Sequence, residues 1–294
     1  MGRIGRAILR PEHAARRVRP INPERPVSTA KKSPTVRVGI GGWTYEPWRG
    51  SFYPEGLAHA RELQHASRRL TAIEINGTYY STFKPPTFRK WHDETPDGFV
   101  FSLKANRFAT NRKVLGAAGD SVTRFVDSGL EELRAKLGPI VWQFMPTKAF
   151  EAEDFEAFLA LLPKKAGSRT LQHVMDVRHP SFLCEAYRAL AAKYRVSTVF
   201  TDAEKFPSFE EPEGPIAYAR LMRAEPGHPA GYAPRALDAW AERAQGWAGE
   251  RPTFVYFING AKEHAPAAAQ ALLQRLGWTP PEPESAPPKR GRGK

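Results

Sequence analysis

The sequence predicts an α/β fold: a single (β/α)8 TIM barrel with basic, disordered termini. Three observations carry that expectation. From residue 36 onward, a short β-rich apolar run, a polar residue, a loop and a helical stretch recur eight times. Eight is the number of parallel βα units that closes a barrel. The length of 294 residues suits either two domains or one barrel, which takes about 250 residues, and no second composition regime divides the interval. A doubly wound open sheet is the structural competitor.

The strand candidates are 36–43, 71–76, 99–104, 139–145, 172–178, 196–202, 216–222 and 253–259. Most are dense in Val, Ile, Phe, Tyr or Trp, which suit a pleated, half-buried surface. Helices are expected at 55–70, 120–137, 152–162, 183–194, 234–248 and 264–276, where apolar residues recur at three-and-four spacing. Asp120 and Asp154 suit helix starts, and Pro234 suits a first helical turn. Two connections fit less well. Residues 79–95 hold only a short helix (87–93) behind the break at Lys84, Pro85 and Pro86. Residues 203–215 are proline-rich and can barely hold a crossover helix.

Three segments follow: a basic tail at 1–35, the barrel at 36–278, and a proline-rich basic tail at 279–294. The formal net charge is +13; the first tail carries +7 and the last +2, leaving +4 for the barrel. Both tails lack apolar periodicity, so disorder is expected. They either solvate the chain or make weak contacts with nucleic acid or another polyanion. The Arg-rich, acid-poor start also resembles an organellar transit segment. No apolar run approaches the roughly 20 residues of a membrane span. Cys184 is the only cysteine, which excludes a disulfide framework and cysteine-based metal sites. The cytoplasm is the expected compartment. The sequence carries no signal for an oligomeric state.

Side chains alternate along a strand, and a barrel packs its apolar outer face on helices. Ile73 and Ile75 therefore face out, which turns Glu74 and Asn76 inward. The same parity turns Ser102 and Lys104 inward, and favours Gln143, Asp176, Arg178, Asp202, Arg220 and Asn259. Seven strands thus end in a polar residue of inward parity. Buried without partners, such groups cost several kcal/mol each, so they pair with one another, with water or with a ligand. Either internal salt bridges close the mouth or a ligand site lies at the C-terminal strand ends, where this fold places its active sites.

The three carboxylates of this set, Glu74, Asp176 and Asp202, are offset by Lys104, Arg178 and Arg220. A divalent metal prefers excess carboxylate or several histidines, so no metal and no cofactor are expected. Three cations with amide donors suit a small anionic ligand such as a phosphate or carboxylate. Glu74 is a candidate general acid or base. Asp176 is a candidate catalytic group or a structural partner of Arg178 or Arg220. His179 is either a proton-transfer group or a plain loop residue. In the loops, Trp43, Tyr45, Trp48, Tyr79 and Tyr80 either stack a ligand or pack the loops down. Gly39, Gly41 and Gly42 look phosphate-loop-like, but no Gly-Lys-Ser/Thr sequence follows.

At these residues the chain resembles the YecE-like family of (β/α)8-barrel proteins. The matching features run in order from Ile40 to about Leu276. They comprise Gly41, Gly42 and Trp43; Glu74, Ile75 and Asn76 with Thr78, Tyr79 and Tyr80; Phe99 to Lys104; Gln143 with Phe144; and Arg178, His179, Pro180, Ser181 and Phe182. The resemblance implies the barrel and the site's location, and no reaction. The chain departs from the family pattern at Ser81, Asn111, Asp176, Phe182 and Gly260, and after Arg220 at Met222 and Arg223, as a divergent branch would. Two functional readings follow. One is an enzyme, such as a metal-independent hydrolase or lyase, acting on a small anionic or phosphate-bearing substrate. The other is a non-catalytic nucleic-acid-associated barrel that uses its basic tails.

Overall fold

A computed structural model describes residues 36–281. The tails expected at 1–35 and 279–294 lie outside the described residues, apart from 279–281. The eight predicted runs form eight strands: β1 (Val36–Gly41), β2 (Ala72–Ile75), β3 (Val100–Lys104), β4 (Leu137–Gln143), β5 (His173–Asp176), β6 (Ser197–Thr201), β7 (Ala217–Leu221) and β8 (Thr253–Phe257). Each pairs in parallel with its sequence neighbour. β8 returns to β1, with Val36 beside Thr253 and Ile40 beside Phe257. The sheet is closed, so the open-sheet competitor is excluded.

Two apolar layers follow from the strand period. Ile73, Ile75, Phe101, Leu103 and Trp142 face outward into the core shared with the helices. Ala72, Val141, Val174, Val199, Tyr218, Phe254 and Tyr256 fill the barrel interior. β1 contributes no side chain to that interior at Gly39, because a Cβ there would lie 2.0 Å from the Ala72 carbonyl oxygen. The glycines that resemble a phosphate loop in the sequence therefore include one whose role is close packing of β1 against β2.

Several helix boundaries differ from expectation, each for a local reason. The run 55–70 begins with a turn at Gly56, which has positive φ, so the helix is only Glu62–Ser67. The run 120–137 is cut at Gly129, whose φ is +110° and which packs against Pro85. It leaves a helix at Gly119–Val126 and tight turns over Leu130–Lys136. Asp120 lies inside that first helix, one residue after its start. Asp154 lies in the first turn of Ala152–Ala160, where it accepts the Gly116 N–H at 2.9 Å and pairs with Lys148. The prolines at 85 and 86 start the helix Pro85–Glu94 and do not break it, and Pro234 opens Pro234–Glu250 as expected. No helix forms between β6 and β7. The outer face of β6 is covered instead by Trp240 and Trp247, which pack on Phe200. A small hairpin, Lys165–Ala166 with Arg169–Thr170, has no counterpart in the predicted elements. Among the described residues, no helix is long and apolar enough to cross a membrane.

Candidate functional site

The inward polar residues of β2, β4, β5 and β7 meet on one buried guanidinium. Arg220 is 1% exposed. Its Nη2 donates to Glu74 Oε1 at 3.0 Å and its Nη1 to Asp176 Oδ2 at 2.6 Å. Burial opposes the charge on Arg220, but the two carboxylates outweigh it and raise its pKa above the ordinary value. Tyr218, two residues earlier on the same face of β7, donates to Glu74 Oε2 at 2.8 Å. Its hydroxyl is driven well above the usual phenol range, first by burial and then by the Glu74 charge. Beside this network Ser102 and Tyr256 share a hydrogen bond of 2.7 Å. Glu74 is thus fully enclosed, with an oxygen on each of two donors.

Arg178 forms the next layer outward. Its Nη2 donates to Asp176 Oδ2 at 2.9 Å and to Gln143 Oε1 at 3.0 Å, and its guanidinium lies 4.3 Å over the Phe206 ring. Gln143 Oε1 also faces Arg220 Nη1 at 3.5 Å. Two cationic donors on one oxygen fix the amide orientation. The Gln143 amide nitrogen and Arg178 Nη1 make no hydrogen bond among the described residues.

Lys104 closes the set at the end of β3. Its backbone carbonyl accepts from Thr78 Oγ1 at 2.7 Å, which ties the loop after β2 to the end of β3. Its ammonium lies 4.2 Å from the centre of the Tyr79 ring and makes no hydrogen bond or ion pair among the described residues. Burial pulls its pKa down to about 8; Arg220 and Arg178 add repulsion, which Glu74 and Asp176 oppose. Asn76 follows β2 beside Gly41, at the same end.

Other expected site residues lie elsewhere or do other work. Val199, not an even-numbered residue, faces the interior of β6, so Asp202 falls out of phase. Its carboxylate accepts the Met222 N–H at 2.6 Å and the Tyr232 hydroxyl at 3.0 Å, and among the described residues it makes no hydrogen bond to Lys104, Arg178 or Arg220. On β8 the inward residues are Phe254, Tyr256 and Ile258. Asn259 is exposed, with its amide 3.9 Å from the Met222 sulfur. His179 Nδ1 caps the turn Pro180–Phe182 by accepting the Ser181 N–H at 3.2 Å. Trp43 packs edge-on against Trp91 and Phe101, and Trp48 is fully buried with its indole N–H on the Lys262 carbonyl. Tyr79 lines the mouth; Tyr80 packs on it and stays 61% exposed.

Without Asp202 the charges at the mouth no longer cancel. Two carboxylates, Glu74 and Asp176, meet three cations, and the excess positive charge sits on Lys104. Among the described residues, no group of three or more His, Cys, Asp or Glu is placed to hold a metal ion. A cavity of about 570 Å³ lies at the opposite end of the barrel, beside Gln172, His173, Val196, Ser197 and Ile216. His173 is spent there between Trp142 and the Pro163 carbonyl. Lys164, Lys193 and Arg195 also line that cavity, and Lys193 is paired with Glu156. The Tyr218 hydrogen bond to Glu74 and the Tyr79 stack on Lys104 are not among the contacts that strand parity predicts. Tyr218 carried a signal, since it shares the parity of Arg220.

A family model described as "Protein of unknown function DUF72" matches residues 37–292. The UPF0759 protein YecE of Escherichia coli (strain K12) is 24% identical over 150 residues, 51% of this chain and 51% of that protein. The UPF0759 protein YunF of Bacillus subtilis (strain 168) is 27% identical over 116 residues, 38% and 40% respectively. The chain spans about half the length, or less, of these curated relatives. A solved DUF72 family structure from Thermotoga maritima superposes with a TM-score of 0.66 at 20% identity, covering 82% of this chain and 98% of that one. One from Enterococcus faecalis gives 0.66 at 14%, covering 83% and 96%. Both likenesses concern the fold.

Proposed function

This chain belongs to the DUF72 family of proteins of unknown function, and from that premise we propose that its barrel mouth is an enzyme site for a small anionic substrate bearing a carboxylate or phosphate. One observation carries the reading. Lys104 is an 8% exposed cation without a counter-ion among the described residues, in a mouth whose two carboxylates are already held by arginines. A buried charge is costly until it is paired. One added negative charge balances this mouth. Arg178 Nη1 and the Gln143 amide are the further donors that would receive the anion. Glu74 and Asp176 act through Arg220 and Arg178, which they hold in place.

The reading makes two linked predictions. Inorganic phosphate, against chloride at equal ionic strength, raises the unfolding midpoint of the native chain. That response fades as pH rises through about 8, where the Lys104 ammonium is lost, and it is absent from Lys104→Met. An equal phosphate response in the native chain and Lys104→Met would overturn the assignment.

In the absence of anion, Lys104→Met is also expected to be more stable than the native chain at pH 7, by about 1–2 kcal/mol. The sign follows from linkage. The folded-state pKa lies below the unfolded value, so the penalty is full below about 8 and is relieved as pH rises from there towards 10.5. The stability gap between variant and native chain therefore narrows over that window, which urea titrations at several pH values measure.

A further inference from the structure

An ammonium clasped by a carboxylate keeps its proton, and Lys104 is not clasped. The groups that bear on it are Arg220 from β7, Glu74 from β2, Asp176 and Arg178 at the end of β5, and the Tyr79 ring. Neither arginine can lose its charge near neutral pH. Lys104 is therefore the cation of this group that can present a free amine. With its pKa at about 8, about a tenth of the molecules carry the neutral amine at pH 7. For an exposed lysine the share is below about one in a thousand.

We propose that Lys104 is a nucleophile that forms an imine with a small carbonyl compound carrying a carboxylate or phosphate. The inference deepens the anion-site reading and rests on it. The neutral Nζ attacks the carbonyl carbon; a C–N bond forms and the C=O π electrons pass to oxygen, giving a carbinolamine. One proton passes from nitrogen to that oxygen, and the proton the ammonium first released to water returns to it; the nitrogen lone pair then closes to C=N as the C–O bond breaks and water leaves. Overall, one ammonium and one carbonyl give one protonated imine and one water, with nothing oxidised or reduced.

The charge balance favours this outcome. The protonated imine keeps the single positive charge that the ammonium had, so the substrate's anionic group stays compensated throughout. The anionic group itself is received by Arg178 Nη1 and the Gln143 amide, leaving Nζ for the carbonyl. Tyr79 supplies the surface over which the new C–N bond forms, 4.2 Å from Nζ.

The test uses glyoxylate and pyruvate as probes, each incubated with the full chain and borohydride, which reduces an imine to a stable secondary amine. Peptide mass mapping locates the adduct. One adduct per chain is expected, on the peptide containing Lys104, forming at least about tenfold faster than at exposed lysines such as Lys84, Lys90 and Lys113. Inorganic phosphate should slow it. Lys104→Arg keeps the charge but cannot form an imine, so it should lose the adduct and keep the phosphate response. Labelling spread evenly over exposed lysines, or undiminished in Lys104→Arg, overturns the proposal. If phosphate still stabilises the native chain while Lys104 stays unlabelled, the imine falls and the anion site stands. If the native chain shows neither effect, both fall.

Discussion

Replacing Arg220 with methionine is expected to cost about 3–5 kcal/mol of folding stability, the larger of the two structural losses predicted for this barrel. The side chain has similar reach, so the loss comes from charge and not from a cavity. Removing the guanidinium leaves Glu74, fully buried, with only the Tyr218 hydroxyl on Oε2 at 2.8 Å. It also leaves Asp176 with only Arg178. Two carboxylates would then share the barrel interior with no cation between them. Arg220→Lys should fall in between, since one ammonium cannot serve two carboxylates with the geometry of a guanidinium fork. Adding Glu74→Gln and Asp176→Asn to Arg220→Met should recover part of the loss. Urea unfolding of this set checks it; no recovery in the triple variant would show that Arg220 acts through packing alone.

This ion network was largely legible in the sequence because strand parity does not depend on the loops. Ile73 and Ile75 are apolar and Glu74 lies between them, so the phase of β2 is unambiguous. The same contrast fixes Ser102 and Lys104 on β3, Asp176 on β5 and Arg220 on β7, and those four residues sit at the mouth or just below it. Parity fails where both faces of a strand are apolar. β6 carries Val199 inward and Phe200 outward; β8 carries Tyr256 inward and Phe257 outward. Neither run offers a polar–apolar contrast, so parity puts Asp202 and Asn259 on the wrong side. That single error of phase hid the excess charge on Lys104. Loop residues had no period to read at all. Trp43 takes its orientation from Trp91 on the helix Pro85–Glu94, and His179 from Ser181 in its own loop, contacts that no spacing in the sequence reveals.

Gly39→Ala tests the same barrel at an inward position of β1 that carries no side chain, with an expected loss of about 3 kcal/mol. A methyl group there would lie 2.0 Å from the Ala72 carbonyl oxygen, 2.6 Å from its carbon and 3.2 Å from the Tyr256 ring. The first two atoms are backbone in the β1–β2 ladder, where Gly39 stands beside Ala72. Relief therefore requires a shift of β1 or β2, and a shift of β2 would carry Glu74 with it. Gly41→Ala is the control two residues on. Its added Cβ would meet the Asn76 amide nitrogen at 2.9 Å and Ile258 at 3.2 Å, both ends of side chains that can turn aside. A cost within about 1 kcal/mol is expected there, with any effect falling on Asn76 at the mouth. Thermal and urea unfolding of the two variants separate the cases. Equal costs would mean that β1 yields as a unit, and that the closeness of Gly39 to β2 is not what seats Glu74 under Arg220.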